Sequence, residues 1–178
     1  MIDILPLEEP LLDLFNEHFE RHRRESGQGE PHFMPFAVDD PEGPRGLQSD
    51  ALHKPLSELN WQRWFVALSE ASQVVGHVDL KGDGLHAGSH RCELGIGIER
   101  AFRAQGLGRA LMEKALGFAR SEPQLHWVDL RVFAHNTGAR ALYRALQFEE
   151  VGVLRDRFRV QGSHIDDVLM CLSLRQGG

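Results

Sequence analysis

Cysteine, tyrosine and long apolar runs are all scarce in this chain. Two cysteines, Cys92 and Cys171, stand far apart among 178 residues, too few for the disulfide framework of a small secreted domain. Each sits in an apolar run, where a reduced thiol behaves as a small hydrophobe. No stretch approaches the roughly 18 consecutive apolar residues that a membrane span requires. Met1 to Leu14 also lacks the basic start and apolar run of a secretory leader, so no membrane partner is expected and cytoplasmic residence is the default. Basic charge is in deficit as well: 20 Lys and Arg stand against 26 Asp and Glu, a net charge of -6. Because the basic residues are scattered, no stripe exists for a phosphate backbone, and no nucleic acid partner is expected.

What is present points to one globular domain over 1–178. The composition is 42% hydrophobic and 26% charged, the balance of a chain that buries a core without metal or disulfides. Ile2 to Leu5 reads as a strand. Glu8, Glu9 and Pro10 then suit a helix start, and Leu11, Leu14, Phe15, His18, Phe19 and His22 recur at helical spacing before Arg21, Arg23 and Arg24 close the last turn. From Glu25 to Gly46 glycine and proline interrupt any period, within a loop-rich insertion that extends over 25–54. A connection of that length is either a lid over an acceptor site or a surface insertion.

Pro55 to Trp64 has the spacing of a short helix. Phe65 to Leu68, Val74 to Leu80 and Cys92 to Ile98 read as an antiparallel meander. Leu107 to Arg120 is an amphipathic helix, Trp127 to Phe133 a strand and Thr137 to Leu146 a helix. Phe148 to Val160 and His164 to Leu174 form a closing hairpin around Gln161, Gly162 and Ser163. The expected fold class is therefore α/β, a mixed, mostly antiparallel sheet flanked by helices.

The chemistry is concentrated between the third strand and the second long helix, in Ile96-Gly97-Ile98 and Arg103-Ala104-Gln105-Gly106-Leu107-Gly108-Arg109-Ala110. A helix N-terminus carries unsatisfied N–H groups and partial positive charge, and two glycines there keep side chains away from an anion. A dinucleotide fingerprint would need a third glycine where Leu111 stands, and a Walker loop would need Lys-Ser/Thr where Arg109-Ala110 stand. Both are excluded.

The stretch Arg103-Ala104-Gln105-Gly106-Leu107-Gly108 resembles the Arg/Gln-x-x-Gly-x-Gly/Ala signature of the GNAT superfamily of acyl-CoA-dependent N-acetyltransferases. A second stretch, Asn136, Ala139 and Tyr143 followed by Leu146-Gln147-Phe148, resembles that family's Asn-x-x-Ala-x-x-x-Tyr pattern, with Gln147 where glycine is usual. The resemblance covers Val74 to Leu174. It implies acetyl-CoA as cosubstrate, with the backbone of Gln105 to Ala110 and the charges of Arg103 and Arg109 on the pyrophosphate. Ile96 and Ile98 would pair with the pantetheine arm like an added strand, and Asn136 would reach a pantetheine carbonyl while capping its helix.

It further implies that Tyr143 protonates or hydrogen-bonds the departing thiolate, and that Glu93 is a general base for the amine, or else merely pairs with an arginine. Members that acetylate protein N-termini often carry a base where this chain has Arg131, so that route is disfavoured. Apart from the resemblance, Asp166 and Asp167 near the last hairpin either select a cationic acceptor or are ordinary solvated surface acids. The implied activity is acetyl transfer to a primary amine of a small molecule by direct attack on the thioester. A protein or peptide amine acceptor and a catalytically silent coenzyme A-binding module are the alternatives. His86, His90 and Cys92 lack a fourth ligand at zinc spacing, so no metal is expected. A homodimer is left open.

Overall fold

The computed structural model describes residues 2–37, 39–41, 43 and 46–175. Its elements follow in chain order: β1 (Asp3–Pro6), α1 (Leu12–Glu25), β2 (Gln62–Leu68), β3 (Val74–Gly82), β4 (Arg91–Ile98), α2 (Leu107–Ser121), β5 (Trp127–Phe133), α3 (Thr137–Ala145), β6 (Glu149–Val160) and β7 (Ser163–Ser173). The sheet order is β1-β2-β3-β4-β5-β7-β6. Every neighbouring pair is antiparallel except β4 and β5, so the expected mixed, mostly antiparallel sheet is what forms.

Alternation along β3 sends the helices to opposite faces. A Cβ on Gly76 would lie 3.3 Å from Leu111 Cδ1 of α2, whereas the next residue, His77, meets Phe15 and His18 of α1. The larger core lies under α2, where Leu107, Leu111, Met112, Ala115, Leu116 and Ala119 are buried at helical spacing. Leu111 is wholly buried, so truncating it removes apolar contact and leaves a void beneath the helix. Leu111→Ala is expected to cost about 3 kcal/mol, read as a lower urea midpoint at unchanged slope. A cost below about 1 kcal/mol would mean that α2 settles into the space.

The helix expected over Pro55 to Trp64 does not form. One turn closes, from Glu58 N–H to the Pro55 carbonyl, after which Asn60 takes φ 56° and breaks the helical path. Gln62 to Trp64 instead join β2, opposite Lys81 to Asp79; the pairing energy of a central sheet outweighs a weak helical period.

At the far side β6 is the outermost strand, exposed almost throughout, with Val151, Val153 and Leu154 facing solvent. Its pairing with β7 slips twice, between Glu150 and Gly152 and between Leu154 and Phe158. Both cysteines are free, and burial pushes the Cys92 thiol up to about 12. Among the described residues no helix is long and apolar enough to cross a membrane, and no three His, Cys, Asp or Glu side chains are grouped to hold a metal ion.

Candidate active site

The parallel pairing of β4 with β5 stops at Leu94 and Leu130. Beyond that rung the strands are no longer bonded, and a cavity of about 900 Å³ opens along the gap. Ile96, Gly97 and Ile98 form one wall, and Arg131, Val132 and Phe133 the other. A strand edge left unpaired in this way offers amide donors and acceptors to an extended ligand.

At one end lies the turn into α2. Ala104 and Gly106 both have positive φ, 57° and 83°, and Gly106 stands at the helix N-cap with no side-chain cap. The two glycines do different work. A Cβ on Gly106 would meet nothing within 4 Å, whereas one on Gly108 would lie 3.2 Å from Leu142 and 3.5 Å from Ile98. Gly106 serves the left-handed turn, and Gly108 lets α2 pack against α3 and β4.

At the other end α3 supplies Asn136 and Tyr143. Asn136 caps the helix, its Oδ1 accepting from Ala139 N–H at 3.1 Å. Tyr143 is 6% exposed and packs against Phe148. Burial pushes its hydroxyl up to about 12, and no described residue hydrogen-bonds it.

The cover of the cavity comes from α1 and the segment after it. His22, Glu30, His32 and Phe33 line it, and charge pins them in place. Glu25 and Glu30 bond the guanidinium of Arg103 at 2.8 to 3.0 Å, and Glu30 also bonds Arg100. Arg100 N–H donates to Glu25, and its guanidinium to the Gln28 carbonyl. Phe33 stacks on His22 and lies under Arg103, while His135 bonds the His32 carbonyl.

Arg103, expected on the sequence as a pyrophosphate ligand, thus lines the cavity yet spends its guanidinium on Glu25, Glu30 and the Ile98 carbonyl. Ile96, Ile98, Gly106, Gly108, Arg109, Asn136 and Tyr143 line the same space. The side chains of Gln105, Leu107 and Ala110 do not reach it: Gln105 bonds the Ala101 carbonyl, Leu107 is in the core and Ala110 is exposed. Glu93 is placed elsewhere, 59% exposed, 3.9 Å from Arg131 and in a separate depression with Lys81 and Asp129. Asp167, 2% exposed, bonds Arg131 at 3.2 Å.

Sequence reasoning missed His32, Phe33 and Glu30, which carry no periodic signal within a glycine- and proline-rich stretch. Residues 14–148 match the family described as acetyltransferase (GNAT) family. The chain belongs to that family.

A GNAT acetyltransferase from Streptococcus pneumoniae has the same fold, at TM-score 0.82 and 21% identity over 97% of this chain and 99% of that one. The structure of yncA from Salmonella typhimurium, solved with its cofactor acetyl-CoA, superposes at TM-score 0.77 and 15% identity, over 100% and 96% of the two chains. The N-alpha-acetyltransferase RimI of Mycobacterium tuberculosis is 40% identical over 68 residues, which is 38% of this chain and 40% of that relative's length. In this member of the family the splayed strands and the glycine turn are covered by an acidic strap, Glu25 and Glu30, held on Arg100 and Arg103.

Proposed function

We propose that the protein moves an acetyl group from acetyl-CoA to a primary amine of a small molecule, by direct attack of the amine on the thioester. The observation that carries this reading is the break in β4–β5 pairing after Leu94 and Leu130, which opens toward Gly106 at one end and Tyr143 at the other. The Ile96 to Ile98 edge receives the amide-rich pantetheine arm. The N–H groups that open α2, from Gln105 to Arg109, and the half-exposed Arg109 side chain receive the pyrophosphate, while the Ala110 N–H already donates to the Gly106 carbonyl. Asn136 retains a side-chain amide for a pantetheine carbonyl, and Tyr143 meets the leaving sulfur.

Coverage of the cavity by Glu30 to Phe33 supports a small acceptor over a protein chain, because a pinned strap narrows the approach to the gap. Residues 25–54 then act as the cover of the acceptor site within a single domain, 1–178. The similarity to RimI favours the second reading, a protein or peptide amine, over a silent coenzyme-binding module.

Thermal unfolding with acetyl-CoA, coenzyme A, NAD and ATP in parallel tests the donor. Each coenzyme A species at 100 times its dissociation constant is expected to add about 2.7 kcal/mol, with no shift from NAD or ATP. A shift with NAD alone, or with none of the four, would overturn the reading.

A further inference from the structure

Gly95 is the first residue of β4 past the last rung shared with β5, so it marks the base of the open gap. Across the antiparallel pair it faces Asp79 of β3. Asp79 Oδ1 lies 2.5 Å from the point where a Cβ on Gly95 would stand. Glycine at 95 therefore makes room for a carboxylate that leans over bare backbone. Gly97, one step along the same face, is covered in the same way by His77 and His22.

Asp79 is partly exposed, and its carboxylate forms no hydrogen bond or ion pair with any described residue. Carboxylates half-buried in a sheet are normally engaged, so one left open over Gly95, next along β4 from the Ile96 and Gly97 that line the cavity, has an acceptor to spare. We propose that Asp79 takes the proton that the acceptor ammonium must lose before attack, and that Glu93 acts through Asp79. The inference rests on the acetyl-transfer reading above.

The surroundings suit that task. Burial, and then the charge of Glu93, push the Asp79 carboxyl up to about 7, against a smaller opposing pull from Lys81. Its other neighbours are accounted for. On β2 the opposite residue is Trp64, whose indole N–H donates to Gln62. His77 of β3 bonds His18 of α1, and His22 lies beside it. Arg131 of β5 is held by Asp167 and Glu93.

Glu93 is the poorer direct acceptor. It stands level with Asp129 inside the paired part of the sheet, two residues or about 7 Å before Gly95. An alkylammonium titrates near 10.4 and an ordinary carboxyl near 4. Raising the carboxyl to about 7 narrows that gap by about a thousandfold in proton affinity.

The acceptor ammonium carries two protons that the amide product does not keep. The first passes from nitrogen to Asp79 and on to solvent. As the C–N bond forms and the C–S bond breaks, the second leaves nitrogen and ends on the sulfur of the released thiol, with the Tyr143 hydroxyl in between.

The test follows thiol release from acetyl-CoA with a panel of small primary amines, from methylamine to amino acids, across pH 5 to 9. The wild-type kcat/KM is expected to rise with pH through about 7. Asp79→Asn is expected to lose that limb and to fall at least a hundredfold at pH 7, with acetyl-CoA still stabilising the variant as it does the wild type. Asp79→Ser, smaller and also unable to ionise, should behave alike if asparagine perturbs the sheet. Glu93→Gln should keep most of the activity and move the limb to lower pH.

An Asp79→Asn protein with wild-type rate and profile overturns the proposal, as does a Glu93→Gln protein in which the limb disappears. A wild type that binds acetyl-CoA no better than NAD, or releases no thiol with any amine, overturns the acetyl-transfer reading itself.

Discussion

Tyr143→Phe is expected to lower kcat by about a hundredfold while leaving the affinity for acetyl-CoA and the melting temperature almost unchanged. Phenylalanine keeps the ring against Phe148 and fills the same volume. The tyrosine hydroxyl has no partner among the described residues, so its removal orphans no polar group. A residue that served packing alone would therefore tolerate the change without cost.

What is lost is one hydroxyl facing the gap. Burial holds it at about 12, and a free thiol titrates near 8.5. Full donation ahead of bond cleavage is uphill, so the phenol acts as a hydrogen-bond donor whose proton follows as charge builds on sulfur. Stopped-flow kinetics of thiol release, beside a direct titration of acetyl-CoA, separate the two quantities. An unchanged kcat would remove Tyr143 from the reaction.

Acidification is expected to destabilise the fold steeply below pH 6.5. His18, His77 and His22 are buried, and burial is the first cause that holds them down, to about 3, about 3 and about 2 respectively. The bonds define the neutral tautomers. Glu99 accepts from His18 Nδ1–H at 2.8 Å, leaving His18 Nε2 to accept from His77 Nδ1–H at 2.9 Å. His22 Nδ1 has no hydrogen-bond partner.

The unfolded chain protonates all three histidines as pH falls through 6.5, and the folded chain does not until about 3. Stability is therefore present above 6.5 and is lost on the way down, at up to ~1.4 kcal/mol per pH unit for each ring. Asp79 works in the other direction, since its raised carboxyl binds a proton in the folded state first. The net loss is roughly 3 kcal/mol per unit between pH 6 and 4. Urea midpoints at pH 7.5, 6 and 5 should fall in sequence, and a flat series would mean that water enters the cluster at little cost.

Much of this was visible in the sequence because it is locally encoded. Trp127 to Phe133 and Leu107 to Arg120 carry unbroken period-two and period-3.6 patterns, and the strand and helix they predict form within a residue. The glycine turn, Asn136 and Tyr143 stood out in the sequence because they resemble two motifs of the family, each confined to one helix N-terminus or one helix face. Asp79 did not. It alternates with His77 and Lys81 along β3 as any polar residue of a strand would, and its meaning depends on Gly95, sixteen residues away and opposite only because the meander sets that register. Glu25, Glu30 and Arg100 likewise read as scattered surface charge, and Arg103 as a pyrophosphate ligand, until α1 and the turn before α2 bring the four within bonding distance.

The two slips in β6 have a consequence for the protein at high concentration. An outer strand of 12 residues that exposes valine and leucine is the kind of edge on which another chain can build a continuous ladder. Here the rungs fall out of step at Gly152 and again before Phe158, and Arg155, Asp156, Arg157 and Arg159 crowd the second break. Incoming backbone would find neither a straight run of donors nor a neutral surface, so the molecule carries its own guard against fibre-like stacking along its least protected side.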